Sequence, residues 1–298
     1  MISDNEYYEM LLPETRKVIE ADVEEKIAYV RTEKFIPYRR AEEILKTMED
    51  IFTQPRKHRM PCLLIYGESN NGKSSIISKF NRWHPPTDGY YTDALPVVVV
   101  EVTCAEPESL YDHILENILI PFKKSHTLSQ KEQLIKYHFG HLGTKMLFID
   151  EIHTILAGTA AKRALFMNKV KGLSNQLQIS VVIAGVPTAL LITSTDEQIQ
   201  SRFRPMRLPK WALNEEYASL LASMERMLPF RKHPGISTNE KLATRIFDMS
   251  EGILGYIVEI VEKCAVRALE KGKERISEDL LKEIDFAVPA EQREAYRA

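Results

Sequence analysis

The amino-acid sequence predicts an α/β fold with a mainly parallel sheet, followed by a smaller helical unit. Up to about residue 211, short apolar runs rich in β-branched residues alternate with amphipathic segments of helical length. Such runs are typical of strands that are buried on both faces. Beyond that point the hydrophobic pattern is helical throughout. Strands that alternate with helices favour right-handed crossovers, so we expect one sheet sandwiched between helices.

Length and composition limit the class of protein. The 298 residues suffice for one large domain with an appendage or for two small domains. Apolar residues make up 44% and charged residues 28%, which is ordinary for a soluble globular protein. The first residues are acidic, and no apolar run approaches the roughly 20 residues that span a bilayer. These features predict a cytoplasmic protein, and three cysteines without metal-ligand spacing predict reduced core thiols.

The charge distribution is uneven. A net charge of −2 excludes a uniformly basic nucleic-acid binder. Residues 152–195 and 201–214, however, contain lysine and arginine but no acidic residue. Local positive charge of this kind can contact phosphate, although the solvated faces of helices would give the same pattern.

The N-terminal third leads to the first strand. Apolar residues at helical spacing predict a helix over 14–31, within an extension that covers residues 1–35. A second amphipathic helix ends before Pro55, and the basic connector 56–59 precedes the apolar run at 62–66. We interpret this run as the first strand of the sheet.

A glycine-rich stretch directly after that strand is the strongest motif of the chain. It precedes a predicted helix from Ser75 to Trp83, so that strand, loop and helix follow one another as a phosphate loop requires. Its glycines let backbone N–H groups face a phosphate, and the N-terminus of the helix adds positive potential. Lys73 can reach the β- and γ-phosphate oxygens of a nucleotide, and the Ser74 hydroxyl suits Mg²⁺. The predicted nucleotide-binding residues here are Gly67, Glu68, Ser69, Asn70, Asn71, Gly72, Lys73, Ser74 and Ser75.

Two adjacent carboxylates follow a buried strand at 146–150, about 75 residues downstream of the phosphate loop. Such a pair often caps a helix, but here it has the position of a Walker B motif. Asp150 would hold Mg²⁺, and Glu151 would orient and deprotonate the attacking water. The presence of Glu151 predicts hydrolysis of ATP rather than storage of the nucleotide.

The other elements complete the alternation. Strands are predicted at 97–102, 179–184 and 206–208, with helices at 107–120, 129–141 and 161–175. The C-terminal part predicts helices at 214–227, 238–249, 253–271 and 277–286, followed by a polar tail.

Several short motifs together are similar to the TniB/TnsC transposition ATPases, which are AAA+ proteins. The resemblance covers about residues 35–275 and depends on their order and spacing. The motifs are Arg59-Met60-Pro61, Asn70-Asn71-Gly72-Lys73-Ser74, Lys79-Phe80, His84-Pro85, Ile149-Asp150-Glu151-Ile152-His153, Leu156-Ala157-Gly158, Arg202-Phe203, Leu208-Pro209-Lys210-Trp211 and Ser250-Glu251-Gly252.

This resemblance implies a P-loop AAA+ αβα core at 36–211, a small α-helical lid at 212–288 and a tail at 289–298. It implies a ring or helical homo-oligomer that assembles on double-stranded DNA with ATP and Mg²⁺, without reading its sequence. The oligomer would connect a target selector of the TniQ type, alone or within an RNA-guided complex, to a transposase. Hydrolysis of ATP would disassemble it.

The resemblance also implies roles for individual residues. Arg202 matches the region of the arginine finger, which a neighbouring subunit supplies to the γ-phosphate, with Arg204 as an alternative. An ion pair within the subunit is the competing interpretation for Arg202. Thr188 is the hydroxyl nearest to the position of a polar sensor. Residues 252–256 lack the arginine that many AAA+ lids direct at the nucleotide, so we expect slow hydrolysis that assembly, DNA or partners stimulate.

DNA contacts in this family come from loops before and after the Walker B strand. The corresponding candidates are Lys123 and Lys124 in the first loop, and Lys162 and Arg163 in the second. They would contact phosphates and so set position without reading sequence. For each of them, a solvated helix face or loop is an equally good interpretation.

Two other functions fit the same motifs. A replication-type AAA+ protein, either an initiator or a helicase loader, would share the nucleotide site. A DNA scaffold that ATP locks, with negligible hydrolysis, would share the phosphate loop, but Glu151 and Arg202 argue against it.

Overall fold

The computed structural model describes residues 4–87, 94–194 and 196–288, and within them five parallel strands form one sheet. The strand order is β2-β3-β4-β1-β5, which confirms the predicted α/β fold with a parallel sheet. The strands are β1 (Cys62–Gly67), β2 (Val97–Glu101), β3 (Met146–Asp150), β4 (Ser180–Gly185) and β5 (Phe203–Leu208).

Helices connect these strands. Two helices lie between β2 and β3, as the sequence predicts. The helices of this part are α4 (Arg39–Phe52), α5 (Lys73–Trp83), α6 (Ser109–Asn117), α7 (Leu128–His141), α8 (Ala160–Leu177), α9 (Leu190–Thr193) and α10 (Glu197–Gln200).

Strand order decides which residues meet. Because all five strands are parallel, their carboxyl ends lie at one edge of the sheet, and β4 alone separates β1 from β3. The phosphate loop follows β1. Of the two carboxylates, Asp150 is the last residue of β3 and Glu151 follows it. The fold therefore brings the two sequence motifs to the same edge, which is the usual place for a ligand in such sheets.

Strand β5 is longer than the sequence predicts. It begins at Phe203 rather than Met206, and it pairs with β1 from Cys62↔Phe203 to Gly67↔Leu208. β5 is an edge strand, and Arg204 and Arg207 on it are exposed. Its charged residues and Pro205 hide the apolar signal of a strand, which explains why only its last residues were predicted.

The described residues divide into two compact units, and the sheet lies in Arg39–Pro209. The other unit combines Met1–Tyr38 with Lys210–Ala298, and it is helical. The division into extension, core, lid and tail stays a prediction, and the tail at 289–298 lies outside the described residues. The helices of this unit are α1 (Asp4–Met10), α2 (Pro13–Val18), α3 (Val23–Arg31), α11 (Glu215–Glu225), α12 (Glu240–Ser250), α13 (Leu254–Glu270) and α14 (Glu278–Glu283).

The prediction of one helix over 14–31 is wrong. The segment is two helices, α2 and α3, because a new helix begins after Asp22. The Asp22 carboxylate accepts a hydrogen bond from the N–H of Glu25 at 2.8 Å and so caps the start of α3.

The N-terminal helices share one core with the C-terminal ones. Tyr7 is 1% exposed, and its hydroxyl donates to the carbonyl oxygens of Glu225 and Leu228, at 2.7 and 3.2 Å. The buried Glu225 carboxylate accepts the N–H of Ser237 at 3.1 Å. Helix α1 is therefore bonded to residues more than 200 positions away in the chain.

Two composition-based expectations can be compared with the structure. Within the described residues, no helix has the length and apolar character required to span a membrane. All three cysteines are free, and Cys62 and Cys264 are buried, whereas Cys104 is half-buried. The core position is confirmed for the first two, and their reduced state stays a prediction.

Candidate functional site

The phosphate loop has the backbone that its glycines predict. Gly72 precedes α5 with a φ of 87°, and Asn70 also has a positive φ, 58°. At Gly67 a side chain would collide with β5, because a Cβ there would lie 2.5 Å from the Leu208 carbonyl oxygen. The loop is thus a tight turn that leads into a helix N-terminus, the arrangement that binds phosphate.

Asn71 holds the loop in place. It is 2% exposed, and its side-chain amide donates to the carbonyl oxygens of Leu208 and Pro209, at 3.2 and 2.9 Å. These hydrogen bonds connect the phosphate loop to the end of β5. A phosphate contact by Asn71 is therefore left to its backbone N–H.

Lys73 lies inside the loop. Its ammonium group donates to the carbonyl oxygens of Gly67 and Glu68, at 3.1 and 2.8 Å, and the residue is 4% exposed. Burial lowers the pKa of Lys73, while the nearby charges of Glu151 and Asp150 oppose that shift. The structure thus places a buried cation where the phosphate loop would surround an anion.

Ser74 and Asp150 form a pair of neighbouring oxygen-bearing side chains. The Ser74 hydroxyl donates to Asp150 Oδ2 at 2.6 Å, and the N–H of Glu151 donates to Asp150 Oδ1 at 2.8 Å. A hydroxyl and a carboxylate suit Mg²⁺, which binds a few protein oxygens and completes its octahedron with water and phosphate. The described residues contain no larger cluster of histidine, cysteine and carboxylate side chains that could hold a metal. The pair therefore fits a nucleotide-bound Mg²⁺ rather than a metal held by protein alone.

Glu151 begins a turn directly after β3. Its φ of 54° is in the left-handed region, which is uncommon for a residue with a side chain. Its carboxylate lies 3.3 Å from His153 Nε2 and is 37% exposed. A partly exposed carboxylate next to Asp150 in the chain is a group that can accept a proton from water. His153 is a contact that sequence reasoning missed, although it stands in the quoted Walker B motif.

Thr188 follows β4 within a short 3₁₀ turn, Pro187–Ala189, and it is exposed. The strand before it ends at Gly185, where a Cβ would lie 2.9 Å from Ile152 Cγ2. Gly185 thus lets the end of β4 approach the turn after the Walker B strand. The sensor role of Thr188 stays a prediction.

Arg202 lies just before β5, at the side of the sheet where the strands begin. The phosphate loop lies at the opposite side, where the strands end. Its guanidinium group donates from Nη2 to Asn175 Oδ1, and Nη1 is buried without a partner. The structure thus shows a contact within the subunit, although the partner is an amide and not a carboxylate. Arg204, the alternative, is exposed on β5. Neither arginine lies near the phosphate loop of its own chain.

The four predicted DNA-contacting residues differ in their surroundings. Lys123 and Lys124 are exposed on the loop between α6 and α7, and neither forms an ion pair within the described residues. Lys162, in the first turn of α8, pairs with Glu106. Arg163 is half-buried, and its Nε is enclosed without a partner. Accessibility therefore favours the first loop for contact with a polyanion.

Comparison with protein families gives a match over residues 26–213, to the family described as bacterial TniB protein. This match covers more than half of the chain. The chain belongs to the TniB family. A search among curated proteins gives no match.

Solved structures show the same fold as this TniB-family protein. Cdc6p from Pyrobaculum aerophilum has a TM-score of 0.61 at 14% identity, over 89% of this chain and 73% of that one. The Aeropyrum pernix ORC2 protein has a TM-score of 0.61 at 13% identity, over 86% and 70% of the two chains. The A. pernix ORC1 protein in complex with DNA has a TM-score of 0.57 at 14% identity, over 90% and 69%. These likenesses confirm the AAA+ fold.

Proposed function

We propose that this TniB-family protein is an ATP-dependent AAA+ regulator of DNA transposition. It forms a ring or helical homo-oligomer on double-stranded DNA and links a TniQ-type target selector to a transposase. One observation carries the proposal. In a chain of the TniB family, Lys73, the Ser74–Asp150 pair and Glu151 meet at one edge of a parallel sheet.

Each of these side chains has a task in the hydrolysis of ATP. Lys73 would contact the β- and γ-phosphate oxygens, and Ser74 and Asp150 would hold Mg²⁺. Glu151 orients a water molecule and accepts its proton. When bound, ATP supplies the terminal phosphoryl group, and Mg²⁺ neutralises charge that develops during its transfer to water.

Slow hydrolysis is part of this proposal. Thr188 is exposed and lies beyond the end of β4, and residues 252–256 contain no arginine. An isolated subunit thus has few groups to stabilise the transition state besides Lys73 and the metal ligands. Assembly, DNA or a partner protein would supply the missing positive charge, as arginines from neighbours do in related reactions.

DNA binding rests on the family and on the loop between α6 and α7. The exposed Lys123 and Lys124 are free of ion pairs within the described residues. The A. pernix ORC1 protein, which shares the fold, has a structure in complex with DNA. Lysines on a loop contact phosphates without reading bases, so the binding is independent of the DNA sequence. A location in the cytoplasm, in association with DNA, is a separate part of the proposal.

Replacing Lys123 and Lys124 together with alanine tests the DNA contact. We expect weaker binding to every duplex sequence, because each lysine neutralises a phosphate and releases counterions. A plot of log affinity against log salt should become shallower by about one unit for each lost contact. Fluorescence anisotropy with labelled duplexes at several salt concentrations, in the presence of a non-hydrolysable ATP analogue, measures both quantities.

Lys136→Ala is the matched control, since the Lys136 ammonium lies 2.7 Å from Glu132 on the same helix. Its affinity and salt dependence should equal those of the wild type. An unchanged salt dependence in the Lys123/Lys124 double variant would contradict the assignment of this loop to DNA.

A further inference from the structure

The connector before β1 contains an arginine to which the proposed function gives no task. Arg59 belongs to the Arg59-Met60-Pro61 motif, and it is exposed while Met60 beside it is 4% exposed. The buried Met60 anchors the connector, so Arg59 projects from a fixed point. Its Nη2 donates to Ser201 Oγ at 2.7 Å.

Strand pairing brings Arg59 next to Arg202. The N–H of Cys62 donates to the Arg202 carbonyl oxygen at 3.3 Å, and β1 and β5 run in register from Cys62↔Phe203 onward. Ser201, the partner of Arg59, is the neighbour of Arg202 in the chain. Burial lowers the pKa of the Arg202 guanidinium, the neighbouring Cys62 opposes that shift, and the positive charge of Arg59 adds to it.

No carboxylate compensates these two charges. Among the residues that the structure describes, no Asp or Glu carboxylate lies within 4.0 Å of either guanidinium group. The side-chain partner of Arg59 is Ser201, and that of Arg202 is Asn175. Two neighbouring cations without an acidic partner repel each other, and a bound anion would relieve that repulsion. Guanidinium groups are well suited to phosphate because their N–H groups form a planar fork.

The position of the pair excludes the nucleotide of its own subunit. Both arginines lie at the amino ends of β1 and β5, whereas the phosphate loop lies at the carboxyl end of β1. Strand β1, Cys62–Gly67, separates the two edges by roughly 17 Å at about 3.3 Å per residue. A phosphate bound by the arginines must therefore come from another molecule.

We propose that Arg59 and Arg202 form a phosphate-binding pair that acts on the nucleotide of a second copy of this chain. Arg59, with its exposed and partly unengaged guanidinium group, contacts the terminal phosphate. Arg202 lies behind it, held by Asn175, and maintains the positive field of the pair. The inference rests on the proposed function, because it needs nucleotide-dependent assembly and hydrolysis by Glu151. It adds a second arginine from the neighbour, located in the connector rather than before β5.

The first test measures turnover in the assembled state. Arg59→Ala should lower kcat by roughly 1,000-fold, the lower end of the range for loss of an arginine supplied by a neighbouring subunit. Binding of a fluorescent ATP analogue should stay at the wild-type level, since the nucleotide site of the variant is intact, and this also shows that it is folded. Arg59→Lys should recover only part of the activity, because an ammonium group lacks the planar fork. Arg56→Ala, an exposed arginine of the same connector, is the control and should keep wild-type turnover.

The second test mixes two inactive variants. Arg59→Ala keeps Glu151, and Glu151→Gln keeps Arg59. In a head-to-tail oligomer each contact joins the nucleotide site of one subunit to the arginine surface of the next. Random mixing of equal amounts would make about a quarter of the contacts complete, so we expect turnover near a quarter of wild type. Recovery of this kind supports a contribution from the neighbouring subunit.

Other outcomes overturn the inference. An Arg59→Ala protein that remains inactive in the mixture would show that the arginine acts within its own subunit. A variant with wild-type turnover but weaker DNA binding and a shallower salt dependence would show that the pair faces DNA phosphate instead. If Glu151→Gln alone turns over at the wild-type rate, the proposed hydrolytic site itself is wrong, and the role of Arg59 in hydrolysis falls with it.

Discussion

Lys73→Ala is expected to weaken nucleotide binding strongly and so to abolish nucleotide-dependent assembly on DNA. The ammonium group is the buried cation of the phosphate loop, and alanine leaves the loop without positive charge at its centre. The loss of a charge-assisted contact to phosphate should weaken affinity by roughly 100-fold. Titration with a fluorescent ATP analogue measures the affinity, and light scattering with duplex DNA measures the assembly.

Lys79→Ala is the control for this prediction, because Lys79 lies on the same helix, α5, with its ammonium 6.0 Å from the centre of the Trp83 ring. It should bind the analogue as the wild type does. Assembly of Lys73→Ala on DNA in response to ATP would contradict the nucleotide site as proposed.

Glu151→Gln should stop turnover but preserve ATP binding. The amide has nearly the shape of the carboxylate but cannot accept a proton from water, so hydrolysis should fall by about 100-fold or more. Because Lys73, Ser74 and Asp150 are unchanged, ATP-bound oligomers on DNA should form and persist longer than those of the wild type. Phosphate release measures turnover, and light scattering follows the lifetime of the assembly.

Glu101→Gln is a matched control for that variant. Glu101 ends β2 opposite Asp150 in the strand register, and it is exposed. Its replacement by glutamine therefore removes a carboxylate from the same edge of the sheet. Wild-type turnover is expected. Unchanged turnover in Glu151→Gln would favour the scaffold that ATP locks, in which the nucleotide is only a structural ligand.

The central architecture could be predicted from the sequence because its signals are local. A strand, glycine-rich loop and helix are consecutive in the chain. Strand β3 ends at Asp150, directly before Glu151, and any parallel arrangement of the strands brings these carboxylates to the same edge as the loop. The break at Asp22 and the true start of β5 were missed for a related reason. Both depend on a few polar or charged residues that interrupt an otherwise regular hydrophobic pattern.

Other features depend on contacts between distant residues, and the hydrophobic pattern contains no signal for them. The side chain of Asn71 is bonded to the end of β5, a contact for which the glycine-rich motif gives no signal. Tyr7 joins a core formed by helices from the other end of the chain. The neighbourhood of Arg59 and Arg202 exists only because β1 pairs with β5.

The proposed function requires assembly on DNA that depends on the state of the nucleotide. Negative-stain imaging of the wild-type protein with duplex DNA and either ATP, a non-hydrolysable analogue or ADP shows whether such assembly occurs. We predict rings or filaments on DNA with ATP or the analogue and none with ADP. Monomers in all three conditions would rule out the proposed function, because no second subunit would then complete the nucleotide site.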